Sequence, residues 1–144
     1  MRVSRIFLEA RFAPGSRVDL DARTAHYVAN VLRLRDGDAL QVFNGDGGAY
    51  QATIVAVSRK AGCIEIDEFV AGDRESALDL HLALGVSRGE RMDLAIQKAT
   101  ELGVSRITPL HTARSVTKLS AERAAKRVAH WQQIAVSACE QCGR

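Results

Sequence analysis

Four clusters of residues have the types and spacing to do chemistry. In the first, His26, Asn30 and Arg33 lie four and three positions apart, which puts side chains on one face of a helix. All three can donate to phosphate oxygens or base edges, and Arg35, Arg2 and Arg5 could extend the patch. The same spacing suits a solvated polar face opposite Ala25, Val28 and Leu32. The second cluster is Arg88, Arg91, Lys98 and Glu101. Arg91 and Lys98 are on one side of a predicted helix, Lys98 can pair with Glu101, and an exposed salt-bridged face is the plainer reading. The third is His111-Thr112-Ala113-Arg114-Ser115-Val116-Thr117-Lys118. It follows a predicted strand, where α/β folds place ligands, and Arg114 and Lys118 with three hydroxyls could hold phosphate. A connecting loop is the alternative.

The fourth, Cys139-Glu140-Gln141-Cys142, is a C-x-x-C. A zinc site needs about four ligands, and Cys63 and distant histidines are all that remain. A redox pair belongs at a helix N-terminus, whereas this one is predicted at a C-terminus. Metal and redox roles are therefore set aside. Gly45-Asp46-Gly47-Gly48 lacks the Lys-Ser/Thr of a phosphate loop and reads as a hairpin turn.

The elements that must position these residues fall into two patterns. Residues 1–72 read mostly as strands. Val3, Ile6 and Leu8 open, Pro14-Gly15 turns the chain, and strands are predicted over 39–43, 50–57 and 63–69. In the last of these, Ile64 and Ile66 alternate with Glu65 and Asp67. One helix interrupts, capped by Asp21, with Ala25, Val28, Ala29 and Leu32 at helical spacing. A small curled sheet or barrel with one helix is the economical fold. A short polar break at 71–76 marks the domain boundary.

Beyond the break, strand and helix alternate. Leu78, Leu80, Leu82 and Leu84 form a strand. A helix over 88–102 buries Met92, Ala95, Ile96, Ala99 and Leu102, with Gly103 stopping it. A second strand covers 104–110. Ser120 caps a long helix whose apolar stripe is Ala124, Val128, Trp131, Ala135, Ala138 and Cys142. This order implies a parallel sheet, yet two strands are too few for a finished domain. The residues therefore predict a half-built α/β core needing a further layer.

Charge is placed unevenly along the 144 residues. Residues 1–35 carry seven arginines against three acids, and residues 73–144 carry eleven basic residues against eight acids. Basic ends suit a polyanionic partner, although ordinary surface scatter fits as well. Three cysteines give no disulfide framework, which points to a reducing cytoplasm. No apolar run approaches the roughly 20 residues of a membrane span.

Several blocks together resemble the RsmE family of RNA methyltransferases, of the SPOUT class. They are His26-Tyr27 with Val31-Leu32-Arg33, then Phe43-Asn44-Gly45-Asp46-Gly47-Gly48, and Arg91-Met92 with 96–104. Pro109-Leu110, Arg114-Ser115, Lys118-Leu119, Glu122-Arg123, Trp131 and Ile134 continue the series. Ala138-Cys139-Glu140-Gln141-Cys142-Gly143-Arg144 closes it. The resemblance covers essentially the whole chain, and 97–104 and 140–144 are its most specific parts.

The resemblance implies a PUA-like RNA-binding barrel over 1–72 and the N-terminal half of a SPOUT methyltransferase domain over 73–144. The C-terminal knot would be lacking. It implies S-adenosylmethionine as the family's methyl donor, N3 of a uridine in small-subunit (16S) ribosomal RNA or the assembled subunit as target, and a homodimer at full length. Family members continue past this chain with the loop and knot that hold the donor. The fragment alone is accordingly expected to bind no donor and to be inactive. Arg114 is the expected catalytic cation. In support, Lys98 and Glu101 would brace it and Glu140 and Arg144 would orient the donor loop, while Arg2, Arg5, His26, Asn30, Arg33, Arg35 and Lys118 would bind RNA. The competing expectations are a non-catalytic RNA-binding module and a fragment docking a partner chain.

Overall fold

Alternating Val, Ile and Leu positions in the first half make one sheet face apolar, and burying that face organises the fold. The computed structural model describes residues 3–72, 74–87, 89–113 and 120–144. It divides into two compact units, Met1–Asp73 and Arg74–Arg144.

Unit 1 is a curled half-barrel. Its strands are β1 (Arg5–Phe7), β2 (Arg17–Leu20), β3 (Ala39–Phe43), β4 (Ala49–Val57) and β5 (Gly62–Val70). They lie in the order β1-β3-β4-β5-β2. β1 runs parallel to β3, and the remaining pairs are antiparallel. Helix α1 (Ala22–His26) follows β2 and continues into a single π-type turn, Tyr27–Val31. Ile6, Leu40, Val42, Ile54, Ile64 and Ile66 fill the interior, and Ala25 and Val28 seat the helix on it.

Unit 2 contains β6 (His81–Gly85), α2 (Glu90–Glu101), β7 (Arg106–Leu110) and α3 (Ala121–Cys142). β6 and β7 pair in parallel, His81 opposite Arg106 through Gly85 opposite Leu110. Met92 and Ile96 of α2 meet Trp131 of α3, with Leu84 and Ile107 of the sheet packed against them.

Several expectations change. β2 carries no strong local strand signal, because its four residues owe their form to pairing with β5 far along the chain. The single predicted helix is broken by the π-type turn. The leucine strand is shorter than its alternation suggests. β6 begins at His81, and Leu78 and Leu80 before it are exposed. Leu102, expected on the buried face of α2, is 82% exposed and serves as its C-cap. Val128, expected in the stripe of α3, is 52% exposed. Helical spacing names a face, but burial requires something to cover it.

Candidate nucleic-acid interface

The basic turn of unit 1 begins at a helix cap. Thr24 N donates to Asp21 Oδ1 at 2.6 Å, satisfying one of the free amides at the start of α1. That backbone hydrogen bond holds the Asp21 carboxyl below its ordinary pKa. The folded value is depressed, so the carboxylate's stabilisation is present above the unfolded pKa and lost as pH falls through the folded one. Asp21→Ala is expected to cost about 0.5–1 kcal/mol at neutral pH, at the low end for an exposed cap. The deficit should vanish in strong acid, when both proteins are compared by urea unfolding across pH. A difference that persists below the folded pKa counts against the cap.

At the other end of the helix, Leu32 N donates to Tyr27 O and Leu34 N to Val28 O, both at 3.0 Å. This wide closure leaves Arg33 at φ 59°, in left-handed backbone. His26, Asn30, Arg33 and Arg35 are all exposed. The sequence expectation of one shared helical face is corrected. α1 ends at His26, and Arg33 lies beyond the π-type turn, so a seven-residue helical spacing no longer applies. Asn30 Nδ2 donates to His26 O at 3.1 Å, which ties the two positions together. Arg35 N donates to Asp38 Oδ2 at 2.7 Å, and Val57 N donates to Asp36 Oδ1 at 2.8 Å. The two acids next to Arg35 are thus engaged with backbone amides.

Arg5 sits elsewhere. Its guanidinium carbon lies 4.6 Å from the centre of the Phe43 ring, a cation–π contact of β1 with β3. Arg2, Arg114 and Lys118 lie outside the described residues, as do Arg88, Ser115 and Thr117.

In unit 2, Lys98 Nζ and Glu101 Oε2 pair at 2.7 Å along α2. Arg144, expected to orient the donor loop, is engaged with residues of unit 2. Its Nη1 donates to Thr100 O at 2.6 Å and to Val104 O at 3.1 Å. Its Nε donates to both carboxylate oxygens of Glu75 at 3.0 Å, and Nη2 also pairs with that carboxylate. The Glu75 hydrogen bond is the first cause raising the Arg144 pKa. Glu140 is half-buried near the end of α3. Glu75 was not singled out in the sequence, because its partner is 69 positions away. Asp93 was missed for the same reason. It accepts from Trp131 Nε1 at 3.1 Å and lies 3.0 Å from His130 Nε2, joining α2 to α3.

Comparison with known proteins gives these units a family. Residues 74–144 match the RNA methyltransferase domain and residues 20–67 match the RNA methyltransferase PUA domain. Ribosomal RNA small subunit methyltransferase E of Buchnera aphidicola (Acyrthosiphon pisum) is 33% identical over 143 residues, 99% of this chain and 56% of the relative. The Bacillus subtilis protein of the same name is 35% identical over 83% of this chain and 46% of its own length. The crystal structure of the Neisseria gonorrhoeae methyltransferase E bound to S-adenosyl methionine superposes with a TM-score of 0.94 at 38% identity. That match covers 99% of this chain and 59% of the other. The chain belongs to the RsmE family. It spans between about half and three-fifths of the length of these family members.

Among the described residues of unit 2, the left-handed glycines 103 and 143 close helix ends. The space a side chain would take at each is already filled, by Ser76 and by Arg74 respectively. Neither glycine therefore opens a cradle for S-adenosylmethionine.

Proposed function

We propose that the chain serves in S-adenosylmethionine-dependent methylation of small-subunit ribosomal RNA at N3 of a uridine. Unit 1 acts as the PUA-like RNA-gripping domain and unit 2 as the first half of a SPOUT domain. The supporting observation is the superposition on the Neisseria protein across 99% of this chain. In the residues' own terms, His26, Asn30, Arg33 and Arg35 present donors and positive charge around one turn. In a homodimer at its relatives' full length, Arg114 would act on the target uridine and Lys118 on the RNA, with Lys98 and Glu101 bracing Arg114 and Glu140 orienting the donor loop. The polypeptide by itself binds RNA and does not turn over.

Filter binding to a small-subunit RNA fragment over a range of salt tests this. The expected slope of log affinity against log salt is several units, because each phosphate neutralised releases about 0.7–0.9 counterion. Neutralising His26, Arg33 and Arg35 together should lower it by about two. Calorimetry should show no heat on adding S-adenosylmethionine to residues 1–144. An unchanged slope removes the turn from the interface, and donor binding overturns the account of unit 2.

A further inference from the structure

We infer that Arg33 is the phosphate anchor of unit 1, held in an unfavourable backbone conformation so that its guanidinium faces an RNA phosphodiester. The inference rests on the RNA-binding reading above and goes further by assigning one residue and one contact chemistry. Its starting point is backbone strain. In the left-handed region a Cβ crowds the following carbonyl, which is why glycine dominates at helix ends of this kind. Among the described residues, every other position with positive φ is a glycine, and Arg33 is the exception.

Nothing in the packing compensates. Arg33 is exposed, and no ion pair with a described residue engages it. The strain cannot relax either. Val28 is buried in the core, Leu32 and Leu34 pack against it, and the two closing hydrogen bonds hold the turn. The π-type turn directly before it is a second irregularity, and such turns concentrate at functional sites. A left-handed residue kept as arginine against stability, on a turn locked by the core, is a pre-organised cation. His26 and Arg35 flank it, also exposed. A guanidinium fork matches phosphate in two parallel hydrogen bonds, so a backbone phosphate is the ligand.

The test uses the whole chain with Arg33→Gly, Arg33→Ala and Arg33→Lys. Arg33→Gly should stabilise unit 1, slowing hydrogen exchange of the β4 amides about fivefold. The same variant should bind a single-stranded small-subunit RNA fragment about tenfold more weakly, with the salt slope smaller by about 0.7. Arg33→Ala should lose affinity equally without the gain in protection. Arg33→Lys should keep the slope. An Arg33→Gly protein that binds like wild type overturns the anchor alone. One that is no better protected overturns the argument from strain. A wild-type chain that fails to bind RNA at low salt removes the RNA reading itself, and the anchor with it.

Discussion

Arg144→Ala is expected to destabilise unit 2 by about 2–4 kcal/mol, the cost of breaking a mostly buried, charge-assisted network. The Arg144 side chain is 11% exposed and its partner Glu75 54% exposed. The carboxylate can therefore return to water after the change, which keeps the loss below that of a fully buried pair. The backbone groups fare differently. Thr100 O retains Gly103 N as a donor at 3.1 Å, while Val104 O loses the donor the guanidinium supplied. Arg144→Lys keeps the charge but not the fork, and it should recover part of the loss. Trp131 is the protein's single tryptophan and is 7% exposed in the core of unit 2, so its fluorescence follows this unit during urea unfolding. Hydrogen exchange in β4 should stay as in wild type. An Arg144→Ala midpoint equal to wild type's would show that the network contributes nothing.

Arg114→Ala is expected to lower kcat by about 100-fold in the methyltransferase at its relatives' full length, with KM little changed. Neutral uridine carries a proton on N3, so that nitrogen attacks a methyl group only as its proton leaves. The negative charge that develops spreads toward the ring carbonyls, and a fixed cation beside them lowers the barrier. Losing one such stabilising group costs about 10²–10³ in rate. Arg114 is the proposed cation because it lies four positions past the end of β7 at Leu110, where parallel sheets place their ligands. The pH profile separates this role from a structural one. The variant should regain rate as pH rises toward ionisation of uridine itself, and Arg114→Lys should retain much of the activity. A variant that works at the wild-type rate ends the proposal. A deficit constant with pH assigns Arg114 to structure.

The Asp21 cap and the Arg33 turn concern the half-barrel, where stability and the proposed RNA grip meet on one short stretch. Replacing Arg33 is expected to raise stability and lower affinity together. Truncating Arg144 should affect the α/β unit without touching the salt dependence of RNA binding.

Much of the architecture was legible from local chemistry. Alternation over 64–67 announced a strand, Asp21 and Ser120 announced helix starts, and both caps form. The β-α-β-α order announced the parallel pairing of β6 and β7. These features depend on neighbours a few positions away, so the sequence by itself determined them. The blocks around Gln97 and Glu140 likewise carried the family resemblance unaided. Tertiary structure decided what depends on distant partners. β2 exists because β5 lies beside it. Leu102 and Val128 stay exposed because no described element covers them. Arg144 became a fastening because Glu75 and, from a second stretch of chain, Thr100 and Val104 converge on it. Arg33 took a left-handed backbone because burial of Val28, Leu32 and Leu34 fixes the path of the turn. Local propensity is set by a few neighbouring residues, whereas pairing, burial and strain are set by whatever the folded chain brings alongside.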